Sequence, residues 1–405
     1  MTLAGLPRDR TFHKAVAKPS KGRVLLLLTN VSPTGGAEVQ SIQLALRLKE
    51  RNWDVRVASL LPVRTPLTNL EEAGIRVESA NMRKGLGAVN SAGALIKLIR
   101  SFRPLVLHCH MAQATLAGRL ARCFANVPVV IGTLHGLMMY SVSGHHQRWL
   151  EHLHRLTDRL ADTTTVVCQA GLAYYYTSNT VSAQRLRYVP NGVDTEAFRI
   201  DPSQRERIRA ELKLGNEFVW LNVGRFDPIK DHKVALKGFA SMLDRHPNSQ
   251  MLLAGGGDLE PDLRALATAL GIESRVRFLG RRQDVSSLMN AADAMILTST
   301  YEALPLVLLE AAACGLPAVA TRVGGTEEAI LEGLTGYLAP VADTVAVADA
   351  MSRLAGTPSG ERSRMARAAR EHVVRHYHFD AVMDQWEGLY GYLLDRRRAW
   401  RGLAG

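Results

Sequence analysis

Short runs of consecutive apolar residues recur along the chain, and each is followed by a polar or glycine-rich loop and a helical pattern. The first run is Val24–Thr29, which is followed by Gly35 and Gly36, a helical pattern over Ala37–Arg51 and a second run at Val55–Ser59. Apolar runs of this length are typical of strands buried on both faces of a parallel sheet. The order of strand, loop, helix and strand therefore predicts the start of a doubly wound α/β domain.

The same order begins again in the second half of the chain, near Arg199. Further elements are predicted as strands at Val106–Cys109, Val129–Gly132, Thr165–Cys168, Val219–Val223, Gln250–Ala254, Val276–Leu279 and Ala294–Thr298, and as a helix at Asp231–Asp244. The turn-rich segment Pro190–Asp194 separates the two halves. Two Rossmann-like domains joined in this way predict a substrate cleft between them.

Size, composition and charge narrow the class of protein. The chain has 405 residues, which is too long for a single core, so two domains are expected. Its 47% hydrophobic and 22% charged residues describe a soluble globular protein. The net charge of +12 predicts an acidic partner, and diphosphate substrates and an anionic membrane are favoured. Nucleic acid is not expected, because the sequence has no nucleic-acid-binding motif and only 6% aromatic residues.

The cysteines and the apolar runs bear on location. Cys109, Cys123, Cys168 and Cys314 form no paired motif, which fits a reducing compartment. The early apolar run is much too short for a signal peptide or a membrane span. We therefore expect a cytoplasmic protein, with a peripheral position on the inner face of the plasma membrane left open.

Two glutamates are the most informative residues. Glu302 and Glu310 flank Pro305, a residue suited to the first turn of a helix that follows a strand. Glu302 is then expected in the strand-to-helix loop and Glu310 on the helix. A helix N-terminus at the end of a strand can bind phosphate, and carboxylates beside it can accept hydrogen bonds from sugar hydroxyls. This favours a nucleotide-sugar, and the alternative is two solvated glutamates beside an ordinary buried helix.

The surroundings of these glutamates resemble the signature of retaining glycosyltransferase family 4. The matching residues are the run Glu-Ala-Leu-Pro-Leu-Val-Leu-Leu-Glu, which ends at Glu310, a following Gly-Leu-Pro, and Val323–Glu328. Pro190–Asp194 matches the Pro-Asn-Gly-Val-Asp junction of the same family. Ala303 is a departure, because the family usually has glycine there, and it adds a methyl group close to the expected donor sugar.

The resemblance runs from about Val24 to Gly336 and implies a GT-B fold. This fold is α/β, with two Rossmann-like doubly wound domains facing a cleft and a C-terminal helix, here Phe379–Arg398, crossing back to the first domain. The expected bounds are 1–20 for a flexible tail, 21–198 for the acceptor domain, 199–378 for the nucleotide-sugar donor domain and 379–405 for the returning helix.

The resemblance also implies which residues act on the donor. Arg225 and Lys230 match a Gly-Arg-x4-Lys motif that holds the diphosphate, and fixed cations stabilise the charge of such a leaving group. His135 matches a histidine that lies against the donor sugar and the attacking hydroxyl. Gly35 and Gly36 match a glycine loop beside the phosphates and the acceptor. The alternatives are solvated cations, a structural histidine and a simple helix-entry turn.

Other loops supply the expected nucleoside and sugar contacts. The expected substrate-binding residues, besides the glycine pair, are Asn191, Gly256, Asp258, Arg281, Leu304 and Glu310. Arg281 and its neighbour Arg282 are equally compatible with surface charge. His108 and His110 are weaker candidates, because two histidines without a third ligand do not predict a metal. No metal and no cofactor are expected beyond the nucleotide-diphosphate sugar, which serves as donor substrate.

One predicted helix, His145–Asp162, concerns the acceptor. Its apolar residues Trp149, Leu153, Leu156 and Leu160 fall on one face, with Arg148, His152, Arg155 and Arg159 on the rest. Packing of this face in the core is favoured. The alternative is a basic, apolar face that meets anionic lipid and presents a lipid-linked acceptor.

These observations favour a metal-independent, retaining glycosyltransferase. It would move a sugar from a nucleotide-diphosphate sugar to a hydroxyl of a glycan or lipid-linked saccharide, in cell-surface polysaccharide synthesis. The alternatives are a non-catalytic GT-B scaffold subunit of a polysaccharide complex and a nucleotide-sugar epimerase or phosphorylase of the same fold. Intact Arg225, Lys230, Glu302 and Glu310 argue against the scaffold.

Overall fold

The computed structural model describes residues 22–32, 35–82, 87–136 and 144–403, and the expected tail at 1–20 lies outside them. This part of the chain forms two compact units. The first extends to Asn191 and includes the chain from Asp380 onward, and the second is Gly192–Phe379. The division falls inside the turn-rich segment Pro190–Asp194.

The first unit is built around a parallel sheet of seven strands in the order β3-β2-β1-β4-β5-β6-β7. The strands are β1 (Arg23–Leu28), β2 (Asp54–Ser59), β3 (Arg76–Ser79), β4 (Val106–His110), β5 (Val129–Leu134), β6 (Thr163–Val166) and β7 (Leu186–Tyr188). The helices are α1 (Gly36–Glu50), α2 (Thr68–Glu72), α3 (Gly87–Phe102), α4 (Ala112–Ala121), α5 (Gly144–Thr157) and α6 (Gln169–Thr177). Both β1 and β4 are almost fully buried. The sequence of β1 is almost continuously apolar, as expected for such a strand, whereas β4 also buries His108 and His110.

The second unit contains a parallel sheet of six strands in the order β10-β9-β8-β11-β12-β13. The strands are β8 (Phe218–Val223), β9 (Ser249–Ala254), β10 (Val276–Gly280), β11 (Ala294–Leu297), β12 (Ala318–Thr321) and β13 (Gly336–Ala339). The helices are α7 (Pro202–Glu211), α8 (His232–Leu243), α9 (Glu260–Ala269), α10 (Val285–Ala291), α11 (Leu306–Ala313), α12 (Thr326–Ala329), α13 (Thr344–Gly356) and α14 (Ser359–Tyr377). Two parallel, doubly wound sheets confirm the predicted fold class.

The last helix, α15 (Phe379–Leu403), begins in the second unit and continues as part of the first. Its residues pack on the start of the first sheet, where Trp53 donates a hydrogen bond of 2.8 Å to Glu387 and its ring lies 5.8 Å from that of Tyr390. Arg51 forms ion pairs with Asp384 and Glu387 on the same helix. The predicted return of the C-terminal helix to the first domain is confirmed.

Helix α5 corrects one expectation. The predicted core face is wrong for Trp149 and Leu156, whose side chains are 59% and 58% exposed. The face turned to the core instead carries Leu150 and the fully buried His154. Burial of His154 is possible because both ring nitrogens have partners. Its Nε2 lies 3.1 Å from the backbone carbonyl of Ala112, and its Nδ1 lies 3.3 Å from the guanidinium of Arg119, which is fully buried on α4. A polar network therefore takes the place of the expected apolar contact. The side chain of Arg148 lies outside the described residues.

Within the described residues, no helix is both long and apolar enough to span a membrane.

Candidate active site

In the second unit, the loops after β8 and β11 bring a lysine and a glutamate together. The Lys230 ammonium donates to Glu302 Oε1 at 2.5 Å, and both side chains are mostly buried. The Ser299 hydroxyl donates to the same oxygen at 2.7 Å. Glu302 Oε2 accepts no hydrogen bond from the residues that the structure describes. The pair therefore holds the carboxylate in place and leaves one of its oxygens for a ligand.

Arg225 extends from the same loop after β8. Its guanidinium lies 3.0 Å from Asp227 Oδ2, yet the side chain is 65% exposed. Asp227 also caps the short turn at 228–230, where its carboxylate accepts from the backbone N–H of Lys230 at 3.2 Å. One aspartate thus positions both expected cations, since it contacts the first and fixes the backbone of the second. Asp227 is not among the site residues predicted from the sequence, although Asp followed by Pro is a recognised helix-start signal.

The two loops are tied to each other and to the loop after β12. Thr298 donates to the carbonyl of Asp231 at 2.9 Å, and the N–H of Thr300 donates to the carbonyl of Ile229 at 2.8 Å. Gly324 has φ of +52°, and a Cβ there would lie 1.8 Å from the Glu302 carbonyl oxygen. Glycine is therefore required at this point of the Val-Gly-Gly-Thr motif, because any side chain would displace the Glu302 loop.

Helix α11 begins directly after this loop. Pro305 is its N-cap and supplies no side-chain hydrogen bond, so the first N–H groups of the helix stay available to an anion. Glu310 is half-buried on this helix and has no hydrogen-bond or ionic partner among the described residues. Burial raises the pKa of its carboxyl group to about 7. A half-buried carboxyl group without a partner is a candidate for contact with a polar ligand.

The loop after β9 is fixed by close packing. A Cβ at Gly255 would lie 1.8 Å from the Gly224 carbonyl oxygen, and one at Gly257 would lie 2.5 Å from the Phe226 carbonyl oxygen. These glycines therefore allow the loop to touch the Arg225 loop. A Cβ at Gly256 would meet only the Arg281 side chain, at ordinary contact distance.

The structure separates the two arginines after β10. Arg282 donates to Asp284 and Glu211, so it has a structural role. Arg281 is exposed and has no acidic partner in the described part of the chain. Asp258 is exposed as well, whereas Leu304 is only 4% exposed. Among these candidates Arg281 and Asp258 have side chains that a ligand can reach.

In the first unit, the strand ends of β4 and β5 hold three imidazoles. His135 follows β5, and its Nε2 lies 3.0 Å from Nδ1 of His110, the last residue of β4. His108 bonds to the hydroxyls of Tyr390 and Thr133, each at 2.7 Å. The His110 and His108 rings lie 4.1 Å apart. Sequence analysis ranked His108 and His110 as weaker candidates, and the structure joins His110 directly to His135.

Burial keeps these imidazoles uncharged. It lowers the pKa of His135 to about 4 and that of His108 to about 3, and it also lowers the pKa of His110. Nδ1 of His135 has no hydrogen-bond partner among the described residues. Its neutral ring can therefore exchange a hydrogen bond with a ligand hydroxyl while Nε2 is held by His110.

Backbone strain accompanies both sets of residues. Met111, directly after His110, has φ of +72°, and Asp231, directly after Lys230, has φ of +41°. Non-glycine residues in this region are strained, and such strain concentrates at functional sites. Gly35 caps the start of α1 without a side-chain bond, and Gly36 is its first residue. Asn191 is 8% exposed and ends the first unit.

Comparison with known proteins identifies the family. The family model for Glycosyltransferase Family 4 matches residues 34–197, and the family model for Glycosyl transferases group 1 matches residues 204–372. N-acetyl-alpha-D-glucosaminyl L-malate synthase of Bacillus anthracis is 31% identical over 290 residues, which cover 70% of this chain and 74% of that protein. The chain belongs to glycosyltransferase family 4. The family expected from the Glu302–Glu310 signature is confirmed.

Two further proteins resemble this family 4 glycosyltransferase. UDP-Gal:alpha-D-GlcNAc-diphosphoundecaprenol alpha-1,3-galactosyltransferase of Escherichia coli is 27% identical over 308 residues, covering 73% of this chain and 78% of that one. Anabaena Alr3699/HepE, solved with UDP, has a TM-score of 0.80 at 24% identity and covers 91% of this chain and 100% of its own. This structural likeness supports the GT-B fold.

The side chains of the described residues also bear on whether the protein could bind a metal ion. No group of three or more His, Cys, Asp or Glu side chains suited to a metal ion occurs in the described ranges. The strand ends of the second unit carry the cations Arg225 and Lys230 and the partly positive N-terminus of α11, beside the carboxylates of Asp227 and Glu302. This arrangement suits a polyanionic ligand.

Proposed function

We propose that this glycosyltransferase is retaining and metal-independent, and that it transfers a sugar from a nucleotide-diphosphate sugar to a hydroxyl of a glycan or lipid-linked saccharide. The observation that carries the proposal is the junction of Lys230 and Glu302 at the strand ends of the second unit. It places a cation for the diphosphate beside a carboxylate for the sugar. Retention is proposed from the resemblance to retaining members of the family.

Departure of the nucleotide diphosphate is the step that the cations assist. The bond between the sugar carbon and the diphosphate oxygen breaks, and negative charge grows on that oxygen. The acceptor oxygen forms the new bond to the same carbon, and its proton passes to the departing diphosphate. Arg225 offers a forked, exposed guanidinium, and Lys230 a point charge fixed by Glu302. Preorganised charges of this kind stabilise the transition state without rearrangement. The uncapped N-terminus of α11 adds N–H donors for a phosphate.

The two glutamates take different parts of the donor. Glu302 uses Oε1 for Lys230 and Ser299, so Oε2 accepts a hydrogen bond from a hydroxyl of the transferred sugar. Glu310 lies on the first turns of α11 without a partner and accepts from the ribose hydroxyls. Arg281, Asp258 and the adjoining glycine loop supply the surface for the base.

His135 contacts the uncharged groups of the reaction, which are the transferred sugar and the acceptor hydroxyl. Because its pKa is lowered to about 4, the ring is uncharged at neutral pH and offers a donor or acceptor to a hydroxyl. Its bond to His110 fixes the ring orientation. We assign His135 to orientation of the sugar and the attacking hydroxyl.

The names of the relatives support a uridine nucleotide and a hydroxyl acceptor. The E. coli relative is named for UDP-Gal and for a diphosphoundecaprenol-linked acceptor, and HepE was solved with UDP-glucose. We therefore propose a UDP-sugar as donor and a lipid-linked saccharide as the first acceptor to test, with cell-surface polysaccharide synthesis as the setting.

Peripheral contact with an anionic membrane is proposed for the exposed face of α5. Trp149 and Leu156 lie two turns apart on this face, and the exposed side chains of His152 and Arg155 belong to the same helix. Apolar residues beside cations are the combination that interfacial helices use. A cytoplasmic location on the inner face of the membrane follows from this proposal.

A thermal-shift series with UDP-, GDP- and ADP-sugars tests the donor, because a ligand that binds only the native state raises the melting temperature. We expect the largest shift with a UDP-sugar. Transfer to a lipid-linked saccharide is then followed in excess EDTA after dialysis, and the anomeric configuration of the product is read by NMR. Transfer that requires added magnesium or manganese, or a product of inverted configuration, would contradict the proposal.

A further inference from the structure

A pocket of about 220 Å³ lies in the first unit, away from the strand ends that hold the imidazoles. Its walls come from the residues just before β6 and β7 and from the last turns of α15. Because the sheet is parallel, the starts of β6 and β7 lie at the opposite edge from His110 and His135. The pocket is therefore separate from the imidazole site of the same unit.

Four arginines line this pocket, which we call the arginine pocket. They are Arg159, Arg185, Arg396 and Arg397. The other polar lining residues are Asp162 and Gln184. A concave site with this many guanidinium groups is suited to phosphate oxygens, which a planar guanidinium binds with two parallel hydrogen bonds.

The carboxylate in the pocket is already neutralised. Asp162 accepts from Arg397 Nε at 2.9 Å, from Arg122 at 2.7 Å and from the backbone N–H of Val130 at 2.8 Å. Nearby Asp158 is in turn paired with Arg185 at 3.2 Å. Both carboxylates therefore already pair with arginines, and neither neutralises the charge of Arg159 or Arg396.

Two of the four arginines have no counter-charge. Arg159 and Arg396 are exposed, and neither forms an ion pair or hydrogen bond with a residue that the structure describes. Asp395, beside Arg396 in sequence, is paired with Arg398 instead. Like charges gathered in one concave site repel each other unless an anion joins them. This excess of positive charge points to a bound anion.

The size of the pocket limits that anion. Sites for drug-sized ligands enclose roughly 300–1,000 Å³, so a pocket of about 220 Å³ suits a compact group. We propose that the arginine pocket binds a phosphate or diphosphate group, with Arg159 and Arg396 as its free ligands and Arg185 and Arg397 as paired ones. The group belongs either to a soluble phosphate compound or to the head group of a phospholipid. The proposal does not depend on the proposed donor site.

Inorganic pyrophosphate is the first probe, and calorimetry on the full chain is the measurement. To remove binding at the proposed donor site, all proteins carry Arg225→Ala and Lys230→Ala. The pocket variant adds Arg159→Ala and Arg396→Ala, and the control adds Arg364→Ala and Arg367→Ala on exposed positions of α14. The added changes remove the same charge, and all titrations share one ionic strength.

Loss of two charge-assisted contacts should weaken pyrophosphate binding to the pocket variant by roughly tenfold or more, while the control stays within about twofold. Absence of binding in the parent protein, or equal affinity in the pocket variant and the control, would overturn the proposal. Equal affinity would mean that these arginines are only solvated surface charges or stabilise the C-terminal end of α15, without binding an anion. Melting temperatures of the variants show that each is folded.

Vesicle binding distinguishes the two sources of phosphate. The same proteins are sedimented with phosphatidylcholine vesicles that contain or lack phosphatidic acid. Binding that needs phosphatidic acid, is displaced by pyrophosphate and is lost in the pocket variant supports the head group. Pyrophosphate binding at the arginine pocket without such vesicle binding supports the soluble compound.

Discussion

The strand ends of the two sheets carry opposite kinds of chemistry on the same architecture. In the first unit they hold buried imidazoles, and burial lowers the pKa of His135 to about 4. In the second unit they hold the cations Arg225 and Lys230 and the carboxylate Glu302. The neutral set is suited to hydroxyl groups and the charged set to a diphosphate.

The contrast between the two sets follows from the cost of burying charge. Neutral groups are inexpensive to bury, so the imidazoles lie inside the first unit and bond to one another and to Tyr390. Charged groups need solvent or a partner, so Lys230 is paired with Glu302 and Arg225 stays exposed. Strain at Met111 and Asp231 accompanies both arrangements.

Removal of Arg225 should have the largest effect. In Arg225→Ala we expect kcat/KM to fall by roughly a hundredfold or more, because a preorganised charge on the leaving diphosphate is lost. The exposed pair with Asp227 contributes at most about 1 kcal/mol to stability, so the variant should stay folded. Arg264→Ala, which breaks an exposed pair with Glu260, is the matched control. Wild-type transfer by a folded Arg225→Ala protein would refute its role.

Glu302→Gln tests the charged set more finely. The amide keeps the size of the side chain but removes the charge that Lys230 pairs with, so we expect kcat to fall by roughly ten- to a hundredfold. Affinity for UDP should change little, because the contact is to the sugar. Calorimetry and steady-state kinetics together measure this split. A large loss of UDP affinity would indicate that Glu302 contacts the nucleotide and not the sugar.

His110→Ala tests the neutral set. Loss of the 3.0 Å bond to His135 should lower kcat by roughly tenfold, since a misoriented group loses part of its effect. His110→Asn can place an amide group near the position of Nδ1 and should recover much of that loss. Equal defects in both variants would indicate a packing role alone.

Glu310 should produce the smallest effect, as a pH dependence of UDP affinity. Its pKa of about 7 means that the carboxylate form, which accepts from ribose, becomes dominant as pH rises through 7. The ionised fraction rises roughly tenfold from pH 6 to pH 8. Affinity should increase by less, about a few-fold, because the neutral carboxyl group can still bond to the ribose. The phosphate of UDP titrates in this range too, so the ratio of wild type to Glu310→Gln is the readout. A ratio of UDP affinities that stays constant with pH would show that Glu310 does not bind the ribose.

Much of the fold followed from local pattern. The runs at Val24–Thr29 and Val219–Val223 are strands within one residue of their predicted bounds, because a parallel strand buried on both faces is mostly apolar. Pro305 was expected in the first turn of α11 and is its N-cap. The core face of helix α5 differs from the prediction because Arg119 and the Ala112 carbonyl satisfy the ring of His154 in the core, and no periodicity shows such partners.

The residues of the site are predictable from the sequence, but the hydrogen bonds and ion pairs between them are not. Arg225, Lys230 and Glu302 are predicted from the motifs in their own loops, which indicate the chemistry without showing which groups pair. The bond of Lys230 to Glu302 joins residues 72 positions apart. The link of His110 to His135 depends on the register of β4 and β5, which only the sheet defines. Long-range pairing of this kind is set by topology, so the residue types alone do not specify it.

The most direct test of the division between the units compares UDP with UMP. Calorimetry is performed with wild type, Arg225→Ala and Arg264→Ala at one pH and ionic strength. If the second unit binds the diphosphate through its cations, wild type and Arg264→Ala should bind UDP more tightly than UMP by roughly tenfold or more. Arg225→Ala should lose most of that preference. An unchanged preference in Arg225→Ala would contradict the assignment of leaving-group charge to the second unit.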